Sequence, residues 1–190
     1  MRLVCCSIIV MSLALTIASE AEVNLDNAVG IWLLDEGVGQ VAKDSSANGN
    51  DGELIKKPKW VDGKLGKSLE FDGTNYINCG HDESFNLTDE ISIIAWAKMK
   101  DPTEKQDIIA KDFAGGTSIG AVNREIGIGA HFIENWGQYF TGLLDDVAFF
   151  DVTLTAADIK NIMNKGLKIS LSVSAAGKLA TSWGSLKAQY

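Results

Sequence analysis

Three Asp-Gly pairs stand at Asp51-Gly52, Asp62-Gly63 and Asp72-Gly73, about ten residues apart. Asp bonds to nearby backbone groups, and Gly takes up positive φ without a Cβ penalty, so each pair marks a tight turn. Turns at this spacing leave room for strands between them and predict an all-β sandwich or barrel. Short apolar runs at residues 28–34, 68–71, 76–78 and 91–98 supply candidate strands. The last run puts Ile91, Ile93, Ala95 and Ala97 on one face, and Ser92, Ile94, Trp96 and Lys98 on the other. Both faces are largely apolar, which predicts a strand in the middle of two packed layers. Further candidates follow at residues 107–111, 125–131 and 143–150.

One helix is readable. Thr155 stands as N-cap with Asp158 three residues on, and Ile159, Ile162 and Met163 share a face before Gly166 ends the run. This is a capping-box pattern with a glycine stop. Beyond it, Ile169, Leu171 and Val173 alternate with Ser170 and Ser172, as in an edge strand, before a polar end. The chain's 190 residues suit one domain, and 46% apolar with 22% charged residues suits a packed core. A net charge of -8 excludes the basic footprint that phosphate contacts need. Two His in the whole chain leave little for His-based catalytic or zinc sites.

Met1-Arg2, an apolar run at residues 3–17, and small residues Ala18, Ser19 and Ala21 follow the order of a secretory leader. The run is shorter than the ~20 residues a membrane-crossing helix needs. Cleavage is expected after Ala21, or else after Ala18. Cys5 and Cys6 leave with this segment, so only Cys79 remains and no internal disulfide can form. The expected division is a leader at 1–21, one domain at 22–166 and a tail at 167–190. The mature chain is expected outside the cytoplasm, extracellular or periplasmic, without a transmembrane segment.

Several ordered blocks carry a family resemblance. Residues 30–37 (Gly-Ile-Trp-Leu-Leu-Asp-Glu-Gly) and 44–52 (Asp-Ser-Ser-Ala-Asn-Gly-Asn-Asp-Gly) open the series. Residues 66–73, residues 91–98 with Trp96, and residues 139–147 running on to Asp158-Ile159 continue it. Together they resemble the LamG-like jellyroll domains of the concanavalin A-like lectin/glucanase group, over roughly residues 28–166. The resemblance implies two antiparallel sheets packed as a jelly-roll sandwich, closed by one short C-terminal helix. It also departs from the family. Only 14 residues separate Lys111 from Ile126, where several strands, a Trp-His pair and a Tyr-Asp-Gly turn are usual. About two hairpins are missing. New sheet edges follow, compatible with a compact variant, with pairing to another copy, or with a truncated inactive remnant.

Chemistry is sparse. Glucanases of this group place paired carboxylates at alternate positions of one strand, which aims them at one face. Here Asp35-Glu36, Asp89-Glu90 and Asp145-Asp146 are adjacent, no Glu-x-Asp-x-Glu occurs, and no enzyme is expected. Cys79 near His81 reads as a small residue at a strand end rather than a nucleophile, since no third group orients the pair. Asn86-Leu87-Thr88 fits a glycosylation acceptor.

Two binding expectations remain. Asp44, Asn48 and Asn50, on a loop bent by Gly49 and Gly52, offer oxygens suited to structural calcium. By resemblance Asp145 on the closing strand joins them; the competing reading is ordinary Asx turns. Trp136, with Asn135, Gln138 and Tyr139, offers an aromatic platform with amides for a sugar ring, or else plugs the core. Trp32, Trp60 and Trp96 read as core. The expected function is a non-enzymatic module binding a glycan or glycosylated surface. The alternative is a structural or adhesion domain that binds a protein partner through exposed sheet edges or the tail, with self-association through those edges also open.

Overall fold

The structure, a computed structural model, describes residues 24–87, 89–111, 125–131 and 138–168. Ten strands in this region form two antiparallel five-stranded sheets. The first is organised around β10 (Thr141–Phe150), the longest strand. On one side β10 pairs with β7 (Ser92–Met99) along nearly its whole length. On the other side two strands share it. β1 (Ala28–Trp32) lies beside the C-terminal half, with Trp32 opposite Val147. β5 (Lys67–Asp72) lies beside the N-terminal half, with Leu69 opposite Leu144. β4 (Lys59–Asp62) then pairs with β5 through the Asp62-Gly63 turn.

The second sheet has the order β2 (Val41–Ala42), β3 (Gly52–Ile55), β6 (Tyr76–Asn78), β9 (Ile126–Ile128), β8 (Ile109–Lys111). The sandwich predicted from turn spacing is therefore what forms. The interior between the sheets holds Trp32, Leu69, Phe71, Ile77, Ile128, Phe140, Leu144 and Phe149 in one cluster. The Trp32 and Phe149 rings meet edge to face at 6.0 Å, and Trp32 Nε1 donates to the Asn50 carbonyl at 2.9 Å. The indole is thus buried with its one polar atom satisfied.

Strand β10 reaches this arrangement through a bulge. Leu144 and Val147 both face the interior three residues apart, and pairing with β7 shifts between Asp145 and Ala148. Asp146 takes up the extra residue at φ 49°, a left-handed conformation that Asp tolerates better than most residues. Beyond it, Ala148 and Phe150 face outward into a second cluster with Ala28, Ile31, Ile162 and Leu167. Helix α1 (Ala156–Lys165) covers that face, and its predicted capping box is complete: Thr155 Oγ1 accepts from Asp158 N, and Asp158 Oδ2 accepts from Thr155 N.

Two expectations need correction. Among the described residues β7 is not a middle strand: it pairs only with β10, and its other edge has no partner there. Trp96 is not core either. Its ring is half-buried on the outer face, where Lys64 Nζ sits 5.5 Å from its centroid. Trp60 is partly buried against the core, and its Nε1 donates to the Gly39 carbonyl. The helix face is buried only at Ile162, while Ile159 and Met163 are exposed.

Candidate functional site

The oxygen-rich loop comes first because its residues do assemble. Asp44 Oδ1 accepts from the backbone N–H of Ile31 and Ser46, and Oδ2 from Asn50 N and Ser46 Oγ, at 2.7–2.8 Å. Asn48 Nδ2 donates to the carbonyls of Ala28 and Val29, and Asn50 Nδ2 to Val29 O and Ser84 Oγ. These side chains fasten the loop to β1 by satisfying its backbone, the Asx-turn reading of the same residues. Asp51 closes the loop, taking Asp44 N and the Lys43 ammonium, which together lower its carboxyl pKa.

Asp145 stands among different neighbours. Its Oδ2 accepts from Lys64 N at 2.8 Å and Leu65 N at 3.0 Å, on the turn between β4 and β5. Gly63 makes that approach feasible, since a Cβ there would lie 2.5 Å from Asp145 Oδ2. Asp145 Oδ1 is buried with no hydrogen-bond partner among the described residues, as is Ser68 Oγ. Burial raises the Asp145 carboxyl pKa against the pull of the two turn amides, and the nearby Asp35 charge raises it further. The adjacent Asp146 accepts from Leu167 N at 3.2 Å, and burial is the main cause that lifts its pKa to about 6. Both carboxylates thus tie the bulge to the elements around it. Among the described residues, no three His, Cys, Asp or Glu side chains are grouped to hold a metal ion.

The aromatic candidates divide. Trp136 and Asn135 lie outside the described residues. Gln138 and Tyr139 are half-buried just before β10. The Gln138 carbonyl accepts from Asp107 N, which ties this segment to the one leading into β8. The Tyr139 ring lies 6.1 Å from that of Tyr76, tilted by 45°, with Lys56 Nζ 5.9 Å from the Tyr139 centroid. The sequence marked Tyr76 only as the start of a candidate strand and not as a site residue, although alternation about buried Ile77 places it on the outer face of β6. Burial, then the proximity of Tyr139, Glu125 and Glu53, raises its phenol pKa. Tyr139 also borders a cleft of about 490 Å³ with Gly73, Lys100, Glu104, Lys105 and Thr141. Gln106 braces that cleft, its amide joining Thr141 N to the Asp101 carbonyl. The result is a pair of aromatic rings, inclined to each other, beside charged and hydroxyl groups at one end of the sandwich.

Among the described residues no thiol or imidazole lines that cleft. Cys79 is fully buried with its thiol pKa pushed well up by desolvation, so it is no nucleophile, and His81 is exposed. His131 Nδ1 lies 3.5 Å from Asp107 Oδ2 at the end of the β9 segment.

No protein-family model matches the chain, and no curated protein matches it. One solved structure is similar: Domain 4 of AbnA, a GH43 extracellular arabinanase from Geobacillus stearothermophilus, in complex with arabinotriose. The TM-score is 0.54 at 14% identity, over 68% of this chain and 94% of that one. What the two share is the β-sandwich. No helix among the described residues is long and apolar enough to cross a membrane.

Proposed function

We propose that this chain is a non-enzymatic binding module for a neutral glycan, held at the sandwich end where Tyr76 and Tyr139 meet. The paired tyrosine faces next to a polar cleft carry this reading. A sugar ring presents a C–H face to aromatic surface and a rim of hydroxyls to charged and amide groups, and that end of the molecule offers both. The acidic chain disfavours anionic polymers. The similar arabinanase domain was solved with arabinotriose, so arabino-oligosaccharides are the first ligands to try. Export by the leader at residues 1–21 belongs to the same proposal, as does Trp136 with Asn135 as an extension of the platform.

Calcium is part of the proposal only through Asp145, whose free Oδ1 lacks the partner that a cation would be. Asp44, Asn48 and Asn50 already have backbone partners.

The test is calorimetric titration of arabino-oligosaccharides and a panel of neutral glycans, on chelated protein with and without added calcium. Saturable binding, weakened about tenfold by Tyr139→Ala, is the expected result, a loss of about 1.4 kcal/mol. Absence of binding across the panel overturns the reading. A melting temperature indifferent to calcium removes the cation.

A further inference from the structure

The open edge of β7 has an apolar flank that α1 leaves uncovered. Ile93, Ile94 and Trp96 on the strand and Leu154, Ile159 and Met163 on the helix side line a groove of about 440 Å³. Ile93 is 52% exposed, Ile159 45% and Met163 60%, so large apolar side chains crowd along one edge. An eight-residue strand whose outer row of backbone donors and acceptors has no strand partner among the described residues is a template for another strand. Natural edges of this kind are blunted by central charges, prolines or bulges, and β7 has none of these between Ser92 and Ala97.

The charges say which strand fits. β7 is preceded by Asp89 and Glu90 and ends in Lys98 and Lys100. A second β7 running antiparallel would set acidic end against basic end, whereas a parallel one would set like against like. With the two-fold axis through Ala95, Glu90 falls opposite the partner's Lys100, Ser92 opposite the partner's Lys98, and Ile94 opposite the partner's Trp96; Asp89 meets the partner's Asp101 beyond the strand ends, so the complementarity rests on Glu90 and Lys100. The Glu90 carboxylate is already held at the strand start by Thr153 N at 2.8 Å, which keeps it in position. Ile93, on the other face, meets the partner's Ala97. We infer that the chain forms a symmetric dimer by antiparallel pairing of β7 with β7 of a second copy, joining the β10-centred sheets into one.

Sedimentation velocity across a concentration series tests this, with three variants. The natural protein should sediment as a dimer, and Ile93→Lys, a charge set against the partner strand, as a monomer with an unchanged circular-dichroism melt. Glu90→Lys and Lys100→Glu, both at exposed positions, should each weaken association about tenfold. The double variant Glu90→Lys/Lys100→Glu should restore it, because the opposed charges are exchanged and not lost. A natural protein that is monomeric throughout overturns the inference. So does a dimer indifferent to Ile93→Lys, or a double variant no better than the single ones.

Discussion

Asp146 shows what one residue contributes here. It takes the left-handed position of the β10 bulge, is 3% exposed, and carries a carboxyl pKa of about 6 because burial outweighs the Leu167 N–H that favours its charge. An unfolded Asp titrates near 3.9, so between about pH 4 and pH 6 the folded chain binds the proton more tightly. The stabilisation is complete below about pH 4 and is lost as pH rises through 6. The melting temperature should therefore fall from pH 5 to pH 7.5, and Asp146→Asn should flatten that slope, since the amide keeps an acceptor for Leu167 N. Scanning calorimetry of both proteins across that range checks the sign. The neighbouring Asp145, shifted in the same direction, leaves part of the slope in place.

At the scale of elements, legibility followed how local the determinants are. The α1 capping box depends on four consecutive residues and was readable in full; Thr155→Ala should cost about 1 kcal/mol, read as a lower denaturant midpoint with an unchanged slope. β5 was readable because Asp-Gly turns bound it, and β10 because its apolar residues run on to Phe150. β3 and β4 were not, since Glu53, Lys59 and Asp62 leave Gly52–Ile55 and Lys59–Asp62 without a continuous apolar run. β7 was found as a strand but given the wrong place. Its two apolar faces fit a buried strand equally well, and only the sheet order shows that one side has no strand partner among the described residues. The site residues divide similarly. Oxygen-bearing side chains between Asp44 and Asp51 look alike whether they face a cation or backbone amides, and the choice depends on β1 lying across the loop. Tyr76 pairs with Tyr139 across 63 positions, a contact that no local pattern encodes.

For the whole molecule, one strand carries the architecture. β10 contacts β1, β5 and β7, buries its inner face with Trp32 and Phe71 and its outer face under Ile162, and leads from the aromatic end toward the helix. A chain with so few residues between Lys111 and Ile126 still encloses an interior because its sheet is assembled from both flanks of that gap around this strand. Native-state amide hydrogen exchange tests that most directly. Amides of residues 143–150 should be the slowest in the molecule, exchanging only on global unfolding, with β1 and β5 close behind. Exchange in β10 as fast as in the surface turns would contradict a sandwich built around it.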